Sequence, residues 1–233
     1  MNIFRIFLDS SLAAQVIMSL LVIFSIWSWA IFFRKLIQLA RVQRVCAHFL
    51  STYRFHQRVR ELENMGPLLN DNPYGRILRS GFEEYKKLVK GSRIAADQIQ
   101  PASSGQWMDE LSDNIRLAME RTRITEISEI ESSLPVLSTF VSVSPFLGLL
   151  GTVWGIMEAF IDIRTRGSAH ITIVAPGISD ALITTVYGLL VAIPALIFYN
   201  IFKSRVNKLD TDFDRFIKEV FALLRKELLR GAH

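Results

Sequence analysis

The sequence predicts an all-α, polytopic membrane protein with three transmembrane helices, two of them extended into a cytoplasmic helical bundle. Three observations predict it. The charges fall in blocks and leave three long apolar runs. Lys and Arg cluster just after the first and third of these runs. The polar segments carry apolar residues at helical spacing. Half of the 233 residues are hydrophobic and the mean hydropathy is positive, unusual for a soluble domain with 21% charged residues.

Leu12–Phe33 holds 22 residues without a charge, Leu134–Met157 holds 24, and Ile171–Phe202 holds 32 with Asp180 as the sole charge. About 20 apolar residues cross a hydrocarbon core of about 30 Å. In lipid a single span must satisfy its own backbone groups, which requires helix. The spans are placed at 12–33, 134–161 and 171–202. The first exceeds the apolar core of a cleaved signal peptide, about 7–15 residues, and Arg34 and Lys35 close it like a stop-transfer flank.

The net charge of +5 does not point to nucleic acid, because membrane topology places the basic residues. Of 27 Lys and Arg, 16 lie in 34–133 and 8 in 203–233. Short basic flanks stay cytoplasmic. Segments 34–133 and 203–233 are therefore read as cytoplasmic, and the 1–11 tail and the 162–170 loop as lying on the far side of the membrane. Cys46 is the single cysteine, so no intrachain disulfide and no cysteine metal site is expected.

The N-terminal "FLDSSLAA" reads as a helix start with Asp9 or Ser10 as N-cap. Trp27 and Trp29 stand where an inner aromatic belt belongs. "KLIQLARVQRVCAHFLSTYRF" continues the first span. "ENMGPLLNDNP" is a turn region, and "PYGRILRSGFEEYKKLVKG" a helix from Pro73 with Gly91 just past its end. "GSRIAADQIQPASSGQ" is the flexible stretch. Helix resumes at Met108 and, with no Gly or Pro before Pro135, is expected to run on into the second span. In the tail, Val206, Leu209, Phe213, Phe216, Ile217, Val220 and Leu224 form one stripe, so the third span should continue as a helix. No repeat and no low-complexity segment interrupts the chain.

No phosphate loop, dinucleotide fingerprint, zinc helix or nucleophile elbow is present, and the histidines 48, 56, 170 and 233 are scattered. The chain is not expected to be an enzyme, nor to carry a cofactor or metal. The chemical signal is inside the spans. In "SPFLGLLGTVWG", Ser144, Gly148, Thr152 and Gly155 share one face at about 100° per residue, with Gly151 joining it. Small residues at this spacing let another helix come close. Packing is the main reading of the glycines; Thr152 is equally a packing or a path residue. In the third span Asp180, Thr184, Gly188 and Val191 share a face, and Thr185 is about 140° round from Asp180.

Counted from Ile171, Asp180 lies about 14 Å deep, near the bilayer centre and level with Thr152. A carboxylate there costs about 2.5–3.5 kcal/mol. Without a cationic partner in the spans it favours the neutral form, and so can take up and release a proton. Carboxyl and hydroxyl groups at one level resemble the lining of an ion path. The structural alternative is a carboxyl that is protonated or hydrogen-bonded to a helix neighbour. Glu158 and Asp162 read as solvated ends of the second span.

The motifs "SPFLGLLGTVWGIM", "VAPGISDALITTVYGLLVAIPA" and "NIFKSRVNKLD", with three spans and a large loop after the first, resemble the TolQ/ExbB/MotA family of proton-channel stators. The resemblance implies a multi-pass protein of a Gram-negative inner membrane. On its Tol-Pal side it implies a homopentamer in lipid around two single-span helices of TolR, with TolA as a further partner. Proton flow would then energise outer-membrane integrity and constriction during division. It implies that TolR carries the protonatable aspartate. The ring would supply a threonine-bearing lining, mapping onto Thr152 and Thr185, and an acidic residue, mapping onto Asp180 where the family usually has Glu. An ExbB-like energiser of TonB-dependent import is the alternative, and a passive scaffold that clamps partner helices is a third reading.

Overall fold

The computed structural model describes residues 10–53, 72–95, 104–168 and 170–231. Among them are five helices and no strand: α1 Leu12–Tyr53, α2 Pro73–Ala95, α3 Ser104–Glu131, α4 Leu134–Arg166 and α5 Ile171–Gly231. Three are long and apolar enough to cross a membrane: α1, α4 and α5. The fold is all-α. The described residues fall into two compact units, one within 1–35 and 133–203, the other within 36–132 and 204–233.

In the first unit α1 packs on both other helices through aromatic pairs. Phe24 stacks on Phe140 of α4 at 4.6 Å between ring centroids, and Phe32 on Phe198 of α5 at 4.1 Å. Ile17, Leu21 and Val191 form a small core between α1 and α5. Elsewhere the apolar side chains point outward: Val16, Ile23, Phe146, Val153, Leu182 and Ile193 are all more than half exposed. Such a surface requires lipid or other apolar partners.

The second unit is built like a soluble bundle. Cys46, Phe49 and Tyr53 of α1 meet Tyr74, Ile77, Leu78 and Phe82 of α2, Ile115 and Met119 of α3, and the α5 stripe from Phe213 to Leu224. The rings of Tyr74 and Phe213 meet edge-on at 4.8 Å. Arg76 donates through Nε and Nη2 to the two carboxylate oxygens of the buried Glu126. That bond is the main reason the Arg76 guanidinium is held protonated above its ordinary range. Burial pushes the Tyr74 hydroxyl well above the usual phenol range, with Asp212 adding to it.

Several boundaries differ from the sequence expectation, each for a local reason. Ser11, not Ser10, caps α1: its hydroxyl accepts the Ala14 N–H at 3.3 Å and its carbonyl the Gln15 N–H at 2.9 Å. Asp9 lies outside the described residues. Asn72 caps α2 by accepting the Gly75 N–H at 2.7 Å. Pro73 of the expected turn opens α2, and its residues 63–71 lie outside the described residues. Gly91 does not end α2, which runs to Ala95. A glycine inside a helix costs only about 1 kcal/mol, and no proline lies between Gly91 and Ala95. Helix α3 begins at Ser104 rather than Met108, so the stretch expected to be flexible is helical at both ends; its residues 96–103 lie outside the described residues.

Helix α3 does not run into the second span. It ends at Glu131, two turn residues follow, and α4 starts at Leu134 with Pro135 in its first turn. Pro135 has no N–H to extend the α3 ladder to the Glu131 carbonyl. Helix α4 then runs past the expected end at 161 to Arg166, where Gly167 stops it at φ 63°. The loop read as 162–170 is thus largely helix. Arg164 and Arg166 in the last turn complement the helix dipole there.

Phe213→Ala should destabilise the protein by about 3–5 kcal/mol, because it empties a fully buried site. Arg215→Ala, exposed and only 3.8 Å from Asp212, should change stability by less than about 0.5 kcal/mol. Melting of the detergent-solubilised protein checks both.

Candidate functional site

The site is set by how closely α4 and α5 approach. As α4 runs back from Gly155 to Ser144, α5 runs forward from Gly177 to Gly188. A Cβ at Gly155 would lie 2.6 Å from the Gly177 carbonyl oxygen, and one at Gly188 would lie 2.7 Å from the Ser144 carbonyl oxygen. A Cβ at Gly148 would press on the Thr184–Thr185 backbone at 3.1 Å, and one at Gly151 would overlap the Thr184 side chain. Ser144, Gly148, Gly151, Gly155 and Gly188 thus all lie in one backbone-to-backbone contact. Gly177, Ala159 and Ala181, which the sequence reading left out, lie there too. Their signal was available, since Gly177, Ala181, Thr184 and Gly188 recur at helical spacing.

Thr184 and Thr185 of α5 both turn to α4, in different ways. Thr184 is fully buried and donates to the Ala181 carbonyl of its own helix at 2.8 Å. Thr185 donates across the interface to the Gly148 carbonyl at 3.2 Å. Thr152 is half-buried and donates to the Leu149 carbonyl at 2.6 Å, within α4. Ser144 Oγ is buried without a hydrogen-bond partner among the described residues.

Asp180 turns the other way, to α1. Its Oδ1 accepts the Ser10 hydroxyl at 2.8 Å, and its Oδ2 accepts the Ser11 backbone N–H at 2.8 Å. Val191, about 20° from Asp180 round the helix, packs against Ile17 and Leu21 of α1. The face shared by Asp180, Thr184, Gly188 and Val191 is therefore split: Thr184 and Gly188 serve α4, while Asp180 and Val191 serve α1.

These bonds also set the level of Asp180 relative to α1. The carboxylate stands at the first turn of α1, where the first apolar run begins, not halfway along it. Counting from Ile171 assumed that all runs start at one level. The third run has 32 residues, hence about 48 Å, against a core of about 30 Å, so part of it must lie beyond the others. Thr184 and Thr185 stand about one turn further along α5, toward its C-terminus. Near the C-terminal end of α4, Glu158 accepts the Trp154 indole N–H at 2.9 Å.

Residues 70–215 match the MotA/TolQ/ExbB proton channel family. The chain belongs to that family. A Tol-Pal system protein TolQ of Haemophilus influenzae is 34% identical over 97% of this chain and 95% of its own length. A TolQ of Pseudomonas aeruginosa is 33% identical over 94% of this chain and 91% of its own. A biopolymer transport protein ExbB of Salmonella typhimurium is 25% identical over 98% of this chain and 88% of its own. Membership of a proton channel family, together with three apolar helices, makes this an inner-membrane protein.

Gly155→Ala and Gly188→Ala should each cost about 1–3 kcal/mol, because backbone atoms oppose the added methyl and no rotamer relieves it. Lowered melting temperatures in detergent would show it; wild-type melting would mean that α4 and α5 stand further apart.

Proposed function

We propose that the chain is the TolQ-like ring subunit of a Tol-Pal system. Five copies surround two single-span TolR helices, and proton flow through the assembly energises TolA. The work supports outer-membrane integrity and constriction during division. The 1–11 tail is periplasmic and segments 34–133 and 203–233 are cytoplasmic. No cofactor takes part, and the transported ion is H⁺. One charge crossing 100 mV supplies about 2.3 kcal/mol, so a few protons per step suffice for mechanical work.

The observation that carries this reading is Asp180, the sole charge in the 32-residue apolar run, with Thr184 and Thr185 one turn further along the same helix. Thr152 of α4 completes the proposed lining. An ion enters where a carboxylate exchanges protons with water and continues along hydroxyl groups. The Haemophilus and Pseudomonas TolQ proteins reach 34% and 33% identity over 97% and 94% of the chain, where the Salmonella ExbB reaches 25% over 98%, and this full-length likeness favours the Tol-Pal role. An ExbB-like role in TonB-dependent import is the second reading, supported by an alignment over 98% of the chain.

In cells lacking the native copy, Asp180→Asn should assemble with TolR and yet leave the outer membrane sensitive to detergent, whereas Asp180→Glu should restore resistance. Asn can still accept the Ser11 N–H, so the comparison isolates the proton-exchanging group from the hydrogen bond. Wild-type resistance with Asn would reduce Asp180 to a structural group and leave the chain a clamp for its partners' helices.

A further inference from the structure

We propose that the start of α1 belongs to the ion path, with Ser10 and the Ser11 backbone N–H as positioning groups for the Asp180 carboxylate; this rests on Asp180 lying in that path. The contact joins residues 170 positions apart, and Ser10 lies outside the 70–215 family match.

The geometry is specific. Each carboxylate oxygen takes one donor, Ser10 Oγ on Oδ1 and Ser11 N–H on Oδ2, both at 2.8 Å. Ser10 is itself buried. The turn that presents the two donors is tied at three points. Gln15 Nε2 donates to the Ser10 carbonyl at 3.0 Å, Ser11 Oγ accepts the Ala14 N–H, and the Ser11 carbonyl accepts the Gln15 N–H. The donors therefore cannot follow the carboxylate freely if it moves. The Ser11 N–H also belongs to the N-terminal turn of a 42-residue helix, where the helix's own ladder leaves backbone donors unpaired.

Few other charges stand nearby. Among the described residues α1 carries no titratable group before Arg34. Helix α4 carries Glu158 and Asp162 further toward its C-terminus, and Glu158 is engaged by Trp154. On α5 itself the nearest titratable groups in sequence are His170, just before its start, and Tyr187. Asp9 lies outside the described residues.

Ser10→Thr and Ser10→Val have the same shape and differ in the hydroxyl alone. Infrared difference spectra of the complex purified with its partners would follow the Asp180 carboxylate stretch, assigned by its loss in Asp180→Asn. Ser10→Val should shift that band, since it removes the donor to Oδ1, and Ser10→Thr should restore it. Gln15→Ala, which loosens the turn but removes neither donor, should shift the band less than Ser10→Val. Detergent resistance of cells should fall with Ser10→Val and return with Ser10→Thr. The same band position for Thr and Val would overturn the assignment, as would a shifted band with unchanged resistance. Full resistance with Asp180→Asn would instead remove the ion-path reading of Asp180, whatever the Ser10 variants do.

Discussion

The approach of α4 to α5 is the constraint on which the rest of the membrane unit depends. Lipid offers no hydrophobic drive between helices, so association there relies on close van der Waals contact and on hydrogen bonds. Gly148, Gly151, Gly155, Gly177 and Gly188 supply the contact by leaving no Cβ in the way. Thr185 supplies the cross-helix bond to the Gly148 carbonyl. With α4 fixed on that side of α5, the remaining faces of α5 are assigned. Asp180 and Val191 turn to α1, and Leu182, Val186 and Ile193 stay outward.

The same constraint explains how a carboxylate is tolerated in so apolar a helix. Its cost is met by two donors at the one place where a neighbouring helix offers unsatisfied backbone N–H groups, its first turn. A carboxylate further along α5 would face α1 backbone already bonded within its own helix. The position of Asp180 and the starting level of α1 are therefore linked. Thr184 and Thr185, by contrast, satisfy their hydroxyls on carbonyls, which α-helices leave able to accept a second bond anywhere along their length.

The other unit follows the rules of water. Its core of Phe49, Tyr74, Phe213 and Phe216 is built by burial, and its charges pair at the margin or, in Arg76 with Glu126, beneath it. Helices α1 and α5 contribute to both units, and their composition changes accordingly. Aliphatic and aromatic residues face outward along 12–33 and 171–202, whereas beyond Lys203 the apolar residues withdraw to one stripe. One continuous helix thus reads as two kinds of sequence.

What the sequence by itself determined was every property that adds up residue by residue. The three spans are legible because transfer into lipid is a sum over a charge-free run, and the α5 stripe because burial against water repeats with the helix period. Local stops such as Pro135 and Gly167 were legible in principle, being properties of single backbones. The tertiary structure alone decided which side of α5 meets which helix, and at what level. Helical periodicity groups Asp180 with Thr184, yet α1 takes one and α4 the other. The offset between two helices is a relation between chain segments far apart in sequence, here Ser10 and Asp180, and no period within either segment encodes it.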